Sequence, residues 1–299
     1  MAVHSFKTSD GLIFTRLLSV GWVLLILYAC WSFGGQQQFS GLLSPFSRNL
    51  VEQALLSAFF LVSAIGYFKK NELLAFAIIC FVISNLFENT SVLIGFPFGS
   101  FHHSEVTGPR LFNIPWLATP TYMAMGYVSW MVAQVILGRQ KRSSWSKDIF
   151  TAPLVAAFVF SSWDFCNDAV FHTVNKAFFY HHPGPWFGVP VSNFLGWLFT
   201  TYIFYGIFSI YLSRQKADVE LEYRGIIKPY WLQIILLYAL NACAGIYRNL
   251  LGKSFEIKLE NGDVWQSQII YSNMTLTTLF TMIFISLLAI TILYKQQKQ

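Results

Sequence analysis

Residues 150–171 read FTAPLVAAFVFSSWDFCNDAVF. As an α-helix rising 1.5 Å per residue, the stretch is long enough to cross the roughly 30 Å hydrocarbon core of a bilayer. It nevertheless carries two aspartates, Asp164 and Asp168, spaced i, i+4 and therefore on one helix face. A charged residue near the centre of a span costs about 2.5–3.5 kcal/mol on insertion scales. Two of them in one membrane helix mark a cavity, or partner groups on neighbouring helices. The stretch predicts a bundle of membrane helices with polar groups turned inwards.

The rest of the chain points the same way. Of 299 residues, 55% are hydrophobic and 11% charged, whereas a soluble domain carries about 25% charged residues. Mean hydropathy is +0.50. Apolar spans recur at roughly 15–34, 50–68, 73–92, 117–137, 150–171, 191–212, 229–249 and 269–294. The expected fold is all-α: a polytopic membrane helical bundle of about eight transmembrane helices, with residues 1–299 forming a single integral membrane domain. The first span is too long for a signal peptide, and no small-residue cleavage site follows it. Pro229 suits the first turn of its helix, where a missing N–H is not needed.

Eight crossings place both termini on one side. Most of the 20 Lys and Arg residues fall on that side, around Lys69-Lys70, Arg139–Lys147 and Arg214–Lys228. The positive-inside rule makes it cytoplasmic and predicts a multi-pass protein of the plasma (inner) membrane. The net charge of +6 is thus a matter of topology, and no nucleic-acid partner is implied. The expected partners are the lipid bilayer and a hydrophobic ligand. Cys30, Cys80, Cys166 and Cys243 sit in apolar spans without CxxC or zinc spacing, so they read as small buried apolar residues.

The unusual loops lie on the opposite side: GFPFGSFHHSEVTGPRLFNIP (95–115), NKAFFYHHPGPWFGVP (175–190) and GKSFEIKLENGDVWQSQ (252–268). The last predicts a small β-hairpin turning at Asn261-Gly262, a pair that accepts positive φ. Polar groups gather at the helix ends beside these loops. Glu88, with Asn85 and Asn89, ends the third span. Asn193, Trp197, Thr200 and Thr201 open the sixth, and Asn241 and Arg248 close the seventh. Asn and Thr often serve as hydrogen-bond glue between membrane helices. Arg110 or Arg248 could likewise do no more than neutralise one acid. Three acids at one depth point further, to chemistry. An apolar surrounding disfavours a carboxylate, and a second carboxylate nearby disfavours it more. An acid kept protonated can donate its proton. In lipid the natural acceptor is an electron-rich alkene of an isoprenoid. Protonation there gives a tertiary carbocation, which aromatic faces stabilise. The chain has 30 Phe, 14 Tyr and 10 Trp, most of them expected in packing and in the interfacial belt. His102-His103, His181-His182 and His172 form neither HxxxH nor HxxHH boxes, so no metal site is expected. They read as interfacial hydrogen-bonding groups, with proton relay by His102 or His181 as the alternative.

Three motifs resemble the membrane-integral carotenoid 1,2-hydratases, a family of carotenoid biosynthesis proteins. The first is a helix-end Glu, then G-x-P-F-G, then G-P and a further Pro, matched by Glu88, Gly95–Gly99, Gly108-Pro109 and Pro115. The second is the paired-acid helix, matched by Asp164 and Asp168. The third is G-V-P-x-x-N-F-x-G-W, matched from Gly188 to Trp197. The likeness is strongest over 80–210. Two departures stand out: Phe178-Phe179-Tyr180 replaces a Trp-x-Trp, and Asp168-Ala169 replaces Asp-Pro. The first implies a reshaped pocket. The resemblance implies addition of water to the terminal double bond of an acyclic carotenoid end group, with no cofactor. Asp164, Asp168 and Glu88 are then the expected catalytic acids. Asn193 and His102 would hold the water, and Phe98, Trp163, Trp186 and Trp197 would line the end-group slot. Two other readings remain open: an intramembrane terpenoid cyclase using the same acids, and a non-enzymatic isoprenoid or lipid carrier.

Overall fold

A computed structural model describes residues 9–147, 149–215, 227–259 and 262–295. Within them lie eight long helices: α1 (Gly11–Gln38), α2 (Pro45–Tyr67), α3 (Lys70–Ile94), α4 (Ala118–Ile136), α5 (Thr151–Val174), α6 (Val191–Ser213), α7 (Lys228–Leu250) and α8 (Ser267–Lys295). All except α4 are long and apolar enough to cross a membrane. The chain is a multi-pass, all-α membrane protein. Local chemistry sets several helix ends. Ser44 accepts a hydrogen bond from Ser47 N at 3.1 Å, with Pro45 opening α2. Glu72 accepts from Lys69 N at 2.9 Å at the start of α3, and Gly95, at φ 81°, ends it in the left-handed conformation. Pro229 sits in the first turn of α7, as expected.

The expected fourth span forms a helix of 19 residues, but it is not lipophilic enough to be called a span on composition. The reason is its position. Every residue from Ala124 to Val135 is buried, so no face of that stretch is left for lipid. α4 packs against α2, α3, α5, α7 and α8. A helix enclosed by protein can carry Ser129, Gln134 and Tyr127, and the Tyr127 hydroxyl lies 2.9 Å from Ser63 Oγ and 2.6 Å from Tyr230 Oη. α1, α5 and α8 each contain a widened π turn, at Trp31–Gly35, Val170–Val174 and Leu279–Ile283. α1 and α5 therefore run past the ends set by hydropathy. Cys30 is exposed, contrary to expectation, while Cys80 and Cys166 are buried.

Three two-stranded sheets stitch the long loops together at one end of the bundle. β1 (Phe101–His103) pairs antiparallel with β4 (Phe178–Tyr180), and β2 (Arg110–Leu111) pairs with β3 (Ile114–Pro115). β5 (Glu256–Lys258) and β6 (Val264–Gln266) form the expected hairpin. Gly262 has φ 91°, and Asn261 lies outside the described residues. Phe187 packs edge-on against Trp265 at 4.9 Å, which joins the second loop to the hairpin.

At the other end, Arg142 Nη2 meets Glu72 Oε1 at 2.5 Å, with side chains only 7% and 1% exposed. The Arg142 guanidinium also lies 4.3 Å from the Trp145 ring centroid. Removing one partner of a buried pair strands the other charge. Arg142→Ala should lower stability by about 3–5 kcal/mol, read as a fall in the melting temperature of the protein in detergent.

Candidate active site

The second half of α5 carries Asp164 and Asp168, 1% and 5% exposed. The first turn of α6 lays Asn193 across them. Its Nδ2 donates to Asp168 Oδ2 at 2.6 Å and to Asp164 Oδ2 at 3.3 Å. One Asn193 amide therefore holds both carboxyl groups in a single buried site, where two bare negative charges would disfavour each other. Asp164 Oδ1 is buried and receives no hydrogen bond from any described N–H or hydroxyl. Glu88, from the outer part of α3, is 7% exposed and accepts from the Tyr122 hydroxyl of α4 at 2.8 Å. His103 Nε2 of β1 lies 3.8 Å from Glu88 Oε2. Glu88 is close enough for its charge to act on both aspartates.

Aromatic rings gather beside the acids. Trp197, one turn after Asn193, stacks with Tyr122 at 4.9 Å and 16° and with Phe160 at 5.4 Å and 23°. Trp163 meets Trp197 edge-on at 6.3 Å, and Phe98 meets it at 5.6 Å. Phe98 is placed by the 95–99 loop, whose backbone is fixed by the bond from Phe98 N to Ser91 Oγ at 2.9 Å. α6 can approach this loop because residue 196 is glycine. A Cβ there would lie 2.8 Å from Phe98 Cδ1 and 2.9 Å from the Pro97 carbonyl. Gly196→Ala should cost about 1–3 kcal/mol through overpacking and push Phe98 off Trp197. Thermal denaturation reads the first effect and loss of turnover the second.

The structure thus brings together Asp164, Asp168, Glu88, Asn193, Phe98, Trp163 and Trp197. It turns His102 away from that group, and it packs Trp186 against the edge of the apolar cluster that holds Phe98. His102 is exposed and turns to the second loop, where its Nδ1 lies 3.1 Å from His181 Nε2. Trp186 stacks on Phe165 at 5.0 Å. The reason for the first is the register of β1. Alternate residues of a strand face opposite sides, so Phe101 and His103 turn inward and His102 outward. Among the described residues, no group of three or more His, Cys, Asp or Glu side chains could hold a metal ion.

The chain matches the family model described as carotenoid biosynthesis protein over residues 49–254. It belongs to the carotenoid biosynthesis protein family. The match runs from α2 to just past α7 and takes in the three acids and Asn193, a wider reach than the 80–210 of the motifs. No curated protein and no solved structure matches the chain.

For a carotenoid biosynthesis protein, the site holds three groups that sequence reasoning did not single out. Tyr122 and His103 both meet Glu88. Tyr180, paired with Phe101 in the β1–β4 ladder, is 5% exposed. Burial, then the charges on Asp168, Asp164 and Glu88, hold its phenol well above the ordinary tyrosine range. It remains a neutral hydroxyl within electrostatic reach of all three acids. His103 shares a strand face with the buried Phe101, a placement that only the register of β1 sets. Tyr122 carried no signal in the sequence, because its partner comes from another helix.

Proposed function

We propose that this carotenoid biosynthesis protein is a cofactor-independent hydratase acting on the terminal double bond of an acyclic carotenoid end group. The observation that carries the reading is the aspartate pair: two buried carboxyl groups, bridged by one amide and set against aromatic rings. Asp164 Oδ1 is the oxygen without another partner and holds the transferable proton. Its O–H bond breaks as a C–H bond forms at C2 of the C1=C2 alkene, leaving the positive charge on C1. The rings of Trp197, Trp163 and Phe98 face that charge. Water adds through oxygen to C1 and gives up one proton to Glu88, with Tyr122 and His103 beside it. Return of that proton to the aspartate pair restores the resting state, so the sum is alkene plus water to tertiary alcohol. No electron changes hands and no cofactor enters the balance.

The test is expression of the chain in a host that makes lycopene, with mass analysis of its pigments. Hydration adds the mass of one water per reacted end. A product of unchanged mass and altered retention would instead mean ring closure, with an internal alkene capturing the same cation. Recovery of unaltered lycopene alone would overturn the enzymatic reading and favour a carrier.

A further inference from the structure

We propose that Glu52 is a positioning residue that polarises the Trp163 indole through a one-way chain of hydrogen bonds, making its ring face a stronger cradle for a carbocation. This rests on the reading of Trp163 as a wall of the cation site. Trp163 Nε1 donates to Asn241 Oδ1 at 2.9 Å, Asn241 Nδ2 donates to Tyr28 Oη at 2.8 Å, and the Tyr28 hydroxyl donates to Glu52 Oε1 at 3.3 Å. In each bond the donor lies on the indole side and the acceptor on the carboxylate side. Gln36 Nε2 donates to Glu52 Oε2 at 2.5 Å, and Arg248 Nη1 stands 3.4 Å from Oε1. The middle links are buried: Tyr28 is 1% exposed and Asn241 6%.

Four helices contribute to this chain, α5, α7, α1 and α2. The family match begins at residue 49, so α1 supplies Tyr28 and Gln36 from outside it. Hydrogen bonds in a low dielectric polarise one another along a chain. Drawing the indole proton towards an anion leaves more electron density on the ring, and a ring attracts a cation through the negative face of its π-system. The carboxylate itself stays three hydrogen bonds away. Placed directly beside the cation, it would strip a proton and end the reaction early. Through the chain, Glu52 strengthens the cradle without offering a base.

The probe is a pair of isoprenoids with one carbon skeleton. One ends in a dimethylammonium group that mimics the cation in charge and shape, and the other is the neutral hydrocarbon. Both are titrated into the full-length protein in lipid nanodiscs. Glu52→Gln and Tyr28→Phe should each weaken the ammonium ligand about three- to tenfold and leave the hydrocarbon unchanged. In a Trp163→Phe background, which keeps a ring but loses the N–H, Glu52→Gln should have no further effect. Parallel loss of both ligands, or loss of neither, overturns the proposal. If Tyr28→Phe yields little folded protein, Glu52→Gln carries the test, since it keeps the shape and removes only the charge. Pigment mass separates the two readings. Charge-selective loss without a hydroxylated product sinks hydration alone, and hydration without charge-selective loss sinks the polarised indole alone. Where hydration is seen, Glu52→Gln should lower kcat and spare KM.

Discussion

Asp164→Asn is expected to cut hydration of an acyclic carotenoid end group by about 10²–10⁴-fold, the usual contribution of a positioned general acid. The substitution keeps shape and volume. It also leaves an oxygen to accept from Asn193 Nδ2, so the helix packing should survive. What it removes is the acidic proton that the proposed mechanism places on Asp164, whose Oδ1 has no other hydrogen-bond partner among the described residues. Asp168→Asn should be milder. Asp168 is the carboxyl more tightly bound to Asn193, at 2.6 Å, and in the proposed mechanism it only takes back the returning proton. The measurement is initial rate of hydroxy-carotenoid formation by equal amounts of folded protein. Full activity in both variants would end the proposed mechanism.

Asn193→Leu is expected to abolish turnover and to destabilise the protein. Leucine is similar in size but donates nothing, so two buried carboxyl groups would lose their shared N–H donor. A buried polar group left unsatisfied costs about 1–3 kcal/mol, and a charged one costs more. Melting of the variant in detergent should show a loss of at least this order, alongside activity at background. Asn193→Asp, in contrast, would crowd three carboxyl groups into one site, and its yield of folded protein should be lower still. A Leu variant as stable and active as the parent would mean that Asn193 is interhelical glue only.

The fold and the acids were legible for one physical reason: lipid makes polar residues conspicuous. Asp164, Asp168 and Glu88 stand out because a charge in an apolar span is expensive, and the i, i+4 spacing fixes the face that two of them share. Asn193 was visible by the same contrast. What failed were features set by tertiary register. His102 and His103 are adjacent, and a shift of one position along β1 exchanges which of them faces inward. Tyr122 and Tyr28 look like any other membrane tyrosines until the crossing of α4 over α3, or of α1 over α7, brings a carboxylate or an amide to the hydroxyl. Glu52, at the outer start of α2, carried no signal in the sequence, because its partners lie on α1 and α7. Trp186 belongs to a loop whose path hydropathy cannot trace.

The enclosed helix α4 has a consequence for how this chain is made. During synthesis each segment is offered to the membrane in turn, and a stretch as weakly lipophilic as Ala118–Ile136 gains little from leaving the insertion channel by itself. Its natural companions α2 and α3 are already made at that moment, while α5, α7 and α8 are still to come. Biogenesis must therefore hold α4 in a half-finished nest of earlier helices until the later ones close around it, and Tyr122 reaches Glu88 only when that helix has been seated.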